Sequence, residues 1–561
     1  MELLTPAGRS DPGGKLHAVK RADGHFVSGG ALQIGSEADM PGLSRRRFVL
    51  TGLPFALALS GIGRSTAVAA ETRLGAPELF DFNLLQEMAK GLAAKPYVAP
   101  KGPVPDVVSK IDFDVAQKIK FRADKALWSD DPAPFPIRLF HVDKFNPLPV
   151  RINLLTGGTA QEVLYSVADF DYGDTGLGAK LPPDLGFSGF RVMDSAKADT
   201  DWLAFQGASY FRSSGEQNQY GGSARGIAVN TVAASKEEFP RFIEFWIAEP
   251  EPNQPTITVY ALLNGPSLTG AYQFVATKQT GTIMDSRAEL FARTDIAQLG
   301  IAPLTSMYWF GENDRQYASD WRPEIHDSDG LALWTGKGER IWRPLIDPPS
   351  VLANSFFDEG PKGFGLMQRD RDFAEYQDDG AFYNRRPSMW VETKGNWGAG
   401  AVQLVEIPTQ DEIHDNIVAY WMPKKPVKAG DQLAFAYRLF WQDDNPDAPK
   451  DVGRVTATRI GRGGVPGHPA PEDKDSWKFV IDFVGGPLSQ MAPRFDVTPV
   501  VTTSRGKIGK AYVIKIVGTD RWRALFDINA PGKEQINLRC FLRLGDKTLT
   551  ETWLYQYFPP T

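Results

Sequence analysis

The tripeptide Ile-His-Asp occurs twice, as Ile325-His326-Asp327 and Ile413-His414-Asp415, placing two aspartates 88 positions apart in matching contexts. A glycosidic bond is usually cut by two carboxylic groups, one giving a proton to the leaving oxygen and one taking a proton from water on the other side of the sugar. Asp415 and Asp327 are the candidates for such a pair. Ordinary turn aspartates carry the same signature, because Asp, Asn, Ser and Gly are what turns need. Spacing alone does not separate the two readings. The second tripeptide lies inside Val405–Trp421, where apolar residues flank a polar centre containing Asp411, Glu412 and Asp415, a pattern that predicts strand, exposed turn, strand. The first lies inside Arg322–Gly330, which ends in Ser328-Asp329-Gly330.

The elements that must position these residues are mostly strands. Asp81 to Leu92 predicts a helix capped by Asp81, with Leu85, Met88 and Leu92 on one face. Asp114–Ile119 and Lys236–Trp246 are further expected helices, the latter with Pro240 in its first turn. From about Arg138 onward β-branched, aromatic and alternating patterns dominate. Thr256–Leu263 ends at the turn Asn264-Gly265-Pro266; Leu433, Phe435, Tyr437, Leu439 and Trp441 alternate with other residues, as do Ile536, Leu538, Cys540, Leu542 and Leu544. Many strands with few helical crossovers predict an all-β protein of antiparallel sheets packed as sandwiches. The polar, twice-proline-broken stretch 442–450 is the expected linker. It separates a large β unit over residues 75–441 from a smaller one over 451–561, the size of an immunoglobulin-like sandwich.

At 561 residues the chain exceeds one ordinary core. Its single cysteine, Cys540, permits neither a disulfide framework nor a thiolate metal site within one chain and is expected in the core. The net charge is −6; residues 1–70 hold eight Lys/Arg and five Asp/Glu, so the remainder carries 54 basic and 63 acidic residues, or −9. That sign argues against nucleic acid or an anionic membrane as the main partner and is compatible with a neutral substrate.

Ser44-Arg45-Arg46-Arg47-Phe48, a short apolar middle through Leu59 and the small-residue end Ala67-Val68-Ala69-Ala70 make an export signal of the twin-arginine type. Its apolar part is too short to span a bilayer. Residues 1–39 have no place in such a signal, which makes Met40 the expected start. The expected location is the periplasm.

After the leader only His141, His326, His414 and His468 remain, and none forms His-Glu-x-x-His; no phosphate-binding Gly-x-x-x-x-Gly-Lys loop occurs. Gly221-Gly222-Ser223-Ala224-Arg225 misses the serine-hydrolase elbow because Arg225 stands where the second glycine belongs. No cofactor or metal is expected. Trp128, Tyr210, Phe211, Trp309, Tyr383, Trp390, Trp397 and Trp421 lie near glycines or polar turns, where a ring can offer its face to a sugar. For each of them a core role is the stronger expectation.

Several stretches together resemble a known family: Asp184–Arg191, Phe205–Arg212, Gln219–Gly226, Leu299–Met307, the two Ile-His-Asp segments and Glu551–Phe558. The chain is similar over about Phe80 to Pro560 to the periplasmic glucan biosynthesis proteins of the MdoG/OpgG/OpgD family. That resemblance implies a large galactose-mutarotase-like β-sandwich followed by an immunoglobulin-like one, and a part in making osmoregulated periplasmic glucans. It further implies an inverting endo-β-1,2-glucanase, or a transglycosylase, with Asp415 as general acid and Asp327 as general base. Tyr383, within Phe382–Pro387, and Glu412 fall where the family shapes the site and its proton path. An acid at Asp415 needs a pKa raised by burial or by a neighbouring carboxylate such as Glu412. Two carboxyls of an ordinary inverting enzyme stand roughly 6.5–9.5 Å apart, and a relay through waters and a substrate hydroxyl, as the resemblance implies, would allow more. The competing reading is a non-catalytic glucan-binding scaffold assisting a membrane glucosyltransferase; an epimerase is a weaker third, since it needs neither export nor a second sandwich.

Overall fold

The computed structural model describes residues 72–560 except 130–133, 196–197, 234–235, 316–317, 465–466 and 468–474. The leader, Met40 and His468 lie outside the described residues. Strands make up 46% of the described residues and helices 9%, which makes the protein all-β as its patterning implies. Sheets of sixteen and ten strands form a sandwich, and a five-stranded sheet lies towards the C-terminus.

The sandwich is held by interleaved aromatic rings. Phe205 and Phe211 of the ten-stranded sheet meet Phe245 and Phe274 of the sixteen-stranded one, with centroids 5.4 Å apart for Phe205–Phe274 and 4.9 Å for Phe211–Phe274. Strands Thr256–Asn264 and Leu268–Gln279 form the hairpin that Asn264-Gly265-Pro266 predicts, and Gln432–Gln442 and Ile536–Leu544 are strands as their alternation requires.

The helix Phe82–Ala93 begins as expected, with the Asp81 side chain accepting from the Leu84 amide at 2.8 Å. Its buried face differs from the expected one: Leu85 and Ala89 are enclosed while Met88 is exposed, because the docking stripe runs through the four-residue spacing of the small Ala89. Residues 113–118 are helical. Lys236–Trp246 is not a helix. It enters the strand Arg241–Ala248, which pairs with Thr256–Asn264 on one side and Arg151–Thr156 on the other. The run Phe242, Phe245, Trp246, Ile247 fills both faces of a central strand, and such a continuous apolar run overrides the helical reading.

The C-terminal strands extend the large sheet. Thr552–Tyr557 pairs in parallel with Arg340–Pro344, matching Ile341 to Thr552 and Trp342 to Trp553, and then antiparallel with Ile536–Leu544. One core joins Trp342 and Trp390 to Phe479, Ile481, Phe526, Trp553 and Cys540. Of the expected linker 442–450, Gln442 ends the strand Gln432–Gln442, and 443–450 is irregular and tied down: Arg371 donates to the Asp443 carbonyl at 2.7 Å and the Trp390 indole to Asp447 at 3.3 Å. Cys540 is a buried free cysteine whose thiol burial pushes up to about 12, an inert core residue.

Trp553 is fully buried, stacks on Tyr555 at 5.4 Å and donates to the Thr458 hydroxyl at 2.9 Å, linking the five-stranded sheet to the large one. Trp553→Ala should therefore cost roughly 3–5 kcal/mol in denaturant unfolding. A loss under about 1 kcal/mol would show that the two sheets do not share their stability through this ring.

Candidate functional site

Asp327 follows the two-residue strand Ile325–His326, which pairs with Tyr308–Phe310. Its amide donates to the Met307 carbonyl at 2.8 Å. Asp415 precedes the strand Ile417–Pro423, and the residue between, Asn416, is buried and locked on the same stretch of chain. The Asn416 side chain accepts from the Tyr308 amide at 2.8 Å and donates to the carbonyls of Tyr308 and Ile407, each at 2.8 Å. Both aspartates are thus held against the peptide units of Met307 and Tyr308.

The turn between Ala399–Glu406 and Ile417–Pro423 has the expected strand, turn, strand form. Thr409 fastens it by donating to Asp411, and Ile413 and His414 stand exposed on it, Ile413 at 64%.

The two carboxyls differ in their partners. Asp327 is enclosed and ion-paired with the Arg386 guanidinium. Burial pushes its pKa up while the Arg386 charge and hydrogen bond oppose the rise, and the ionised form is the one that completes the pair. Asp415 keeps part of its surface open to solvent and has no ion-pair partner among the described residues. Burial and then the Asp327 charge push it up to about 6, against a hydrogen bond from Thr305 and the charges of Arg212 and Arg386. Burial, one of the two causes expected from the sequence, is thus the larger, and the carboxylate that adds to it is Asp327.

Glu412 belongs to a second set of charges. It accepts the Tyr383 hydroxyl hydrogen bond and a two-pronged one from Arg322 at 2.8 and 3.1 Å. Arg322 also binds Asp378 at 2.7 Å and Asp320 at 2.9 Å. Tyr383 is buried at the start of a short 3-10 helix, and the Arg386 guanidinium lies 4.2 Å from its ring centre. Burial raises the Tyr383 phenol, so it stays a hydrogen-bond donor at neutral pH. The four sequence candidates thus sit together: Arg386 joins Tyr383 to Asp327, Tyr383 bonds Glu412, and the Asp327 charge reaches Asp415.

Gln368 sets the backbone beneath. Its amide donates to the carbonyls of His326 at 2.9 Å and Tyr383 at 3.1 Å, and its oxygen faces His326 Nδ1 at 2.9 Å. Since the amide nitrogen is spent on two carbonyls, His326 Nδ1 is the protonated one. Glu324, His326 and Asp370 bring one ligand atom each within 4.8 Å. His326 Nε2 is bonded to Glu324 at 2.9 Å.

Sequence reasoning gave no role to Arg386, Arg212, Thr305, Arg322, Asn416 or Gln368, although Arg386 lies within the Phe382–Pro387 stretch and Arg212 ends Phe205–Arg212. Of the aromatic candidates, Phe211, Tyr383, Trp390, Trp397 and Trp421 are buried; Trp128, Tyr210 and Trp309 are half-buried.

The model of the family described as periplasmic glucan biosynthesis protein, MdoG, matches residues 80–557. The chain belongs to the MdoG family. Relatives within reach include "Glucans biosynthesis protein D 2" of Ralstonia nicotianae, 47% identical over 532 residues covering 92% of this chain and 98% of the relative. "Glucans biosynthesis protein D" of Stenotrophomonas maltophilia is 47% identical, with 92% and 98% covered. That of Xylella fastidiosa is 46% identical, with 91% and 96% covered. Membership in the MdoG family supports a role in glucan synthesis and a periplasmic setting. No helix among the described residues is long and apolar enough to cross a membrane.

A carboxyl whose pKa rises from 3.8 to about 6 on folding binds its proton more tightly when folded, so its stabilising share is present at low pH and is lost as pH rises through that interval. Asp415→Asn, which mimics the protonated form, should raise the melting temperature at about pH 7.5 and change it little at about pH 3.5. An equal effect at both values would show that Asp415 is not perturbed. Asn416→Ala, which strips partners from the Tyr308 amide and carbonyl and from the Ile407 carbonyl, should cost roughly 1–3 kcal/mol in thermal unfolding; a neutral effect would mean that the Tyr308 peptide is not what anchors Asp415.

Proposed function

We propose that the chain acts in periplasmic glucan biosynthesis as an inverting endo-β-1,2-glucanase, or as a transglycosylase, on β-1,2-glucan. The observation that carries this reading is the pair of coupled carboxyls with opposite surroundings: Asp327 paired with a guanidinium, Asp415 unpaired and raised to about 6. Burial raises both carboxyls, and the Arg386 ion pair opposes the rise at Asp327, which gives the two the unequal surroundings that an acid and a base require.

Asp415 gives its proton to the glycosidic oxygen as the bond from the anomeric carbon to that oxygen breaks. A water on the opposite face attacks the anomeric carbon, and its proton passes to Asp327, directly or through the relay that Tyr383 and Glu412 border. The product has the inverted configuration, and Asp327 returns its proton to solvent while Asp415 takes one up. A sugar hydroxyl in place of the water gives transfer instead of hydrolysis. The exposed Ile413 and His414 beside the acid sit where such an acceptor would meet the protein. Export by the twin-arginine route, through Arg45-Arg46-Arg47, belongs to the same proposal.

With linear β-1,2-glucan as substrate, Asp415→Asn and Asp327→Asn should each lower the release of reducing ends or the change in chain length by roughly 100-fold or more while glucan binding persists. Activity should fall as pH rises through about 6, where Asp415 loses its proton. If the unaltered chain binds glucan and neither cleaves nor rearranges it, the non-catalytic scaffold reading replaces this one.

A further inference from the structure

The ten-stranded sheet turns one face to the core and the other towards Asp415. Along it, Phe205, Phe211, Ala224 and Leu304 belong to the core, so their neighbours Gln206, Tyr210, Arg212, Ser223 and Thr305 project from the opposite face. Gln206 stands directly across from Tyr210, and Thr305, which lies near Asp415 and donates its hydroxyl to the Ser223 carbonyl at 3.4 Å, stands across from Ser223.

Arg212, Gln206 and Arg225 are buried on this face and each has a polar atom without a partner among the described residues; Arg225, across from Tyr210, lays its guanidinium 5.2 Å from that ring centre. Arg212 is 8% exposed and its Nη2 has no acceptor. Its guanidinium lies 4.4 Å from the Tyr220 ring centre, and the charge of Asp415 reaches it. Gln206 is 7% exposed and its Oε1 has no donor. The orientation of that amide is fixed: Ser188 donates its hydroxyl to the His141 carbonyl at 2.8 Å and so accepts from Gln206 Nε2 at 2.8 Å, leaving Oε1 as an acceptor only. Between them stands the half-buried Tyr210, within reach of the Asp415 charge. A donor, an acceptor and a ring on one face suit a hydroxyl-rich, uncharged ring better than an anion, because Gln206 Oε1 would repel one.

We propose that Gln206, Tyr210 and Arg212 form the subsite for the glucosyl unit on the leaving-group side of the scissile bond, next to the acid. Arg212 donates to a sugar hydroxyl, Gln206 accepts from another, and Tyr210 flanks the ring. Each buried atom then gains the partner that its desolvation calls for. This subsite rests on the hydrolase reading for its name, but its capacity to hold glucan does not.

The test uses the full chain carrying Asp415→Asn, with binding of linear β-1,2-glucan followed by calorimetry. Adding Gln206→Leu, Arg212→Lys or Tyr210→Ala should weaken binding roughly 10-fold or more for Arg212 and several-fold for the other two. With Asp415 intact, the same three changes should shift the distribution of product lengths. Circular dichroism and thermal unfolding identify any variant that does not fold, and the remaining ones decide. Affinity and product lengths unchanged in every folded variant would overturn the subsite. Failure of the unaltered chain to release any product, with affinity still lost in the variants, would sink hydrolysis and leave a glucan-binding subsite standing.

Discussion

Everything in the site depends on two successive peptide units, those of Met307 and Tyr308. The Met307 carbonyl takes the Asp327 amide, and the Tyr308 amide and carbonyl are both taken by the side chain of Asn416, next to Asp415. Buried peptide groups must be paired or their desolvation is lost outright. Here that requirement is met by Asp327, 20 positions from Met307, and by Asn416, 108 positions from Tyr308, and meeting it draws the two aspartates together. The strand Leu299–Ser306 that leads into this stretch also pairs with Ile417–Pro423, so the ladder and the side-chain clamp impose one register.

Once the aspartates are neighbours, they cannot both ionise without cost, and the surroundings decide which keeps its proton. Arg386 favours the ionised form of Asp327. Its guanidinium is committed on one side to that carboxylate and on the other to the face of Tyr383, whose hydroxyl is committed to Glu412 and through it to Arg322. Asp415 is left with the Thr305 hydroxyl and distant charges, and burial together with the Asp327 charge holds its proton. Asymmetry of charge therefore arises from the segment between Tyr383–Arg385 and Ser388–Lys394, which sets Arg386 against Asp327.

Much of this was legible in the residues. The alternation in Gln432–Gln442 and Ile536–Leu544, the Asp81 cap and the strand, turn, strand form around Asp411–Asp415 all follow from local periodicity and turn chemistry, which act within a few residues. The aspartates themselves were marked by the repeated tripeptide and the family resemblance. What local pattern does not contain is pairing over distance. Arg386 is one of many arginines in the chain until the fold sets it against Asp327, and Asn416 reads as a turn residue until Tyr308 arrives. Lys236–Trp246 shows the same limit in reverse, since a central strand buried on both faces loses the alternation that would have distinguished it from a helix.

The most direct test of the central claim, that two coupled aspartates hold opposite protonation, is infrared difference spectroscopy of the unliganded chain at about pH 5, compared with Asp415→Asn and Asp327→Asn. A protonated carboxyl C=O band that disappears with Asp415→Asn and survives Asp327→Asn is the expected result. A band that belongs to Asp327, or no band from either residue, would contradict the account.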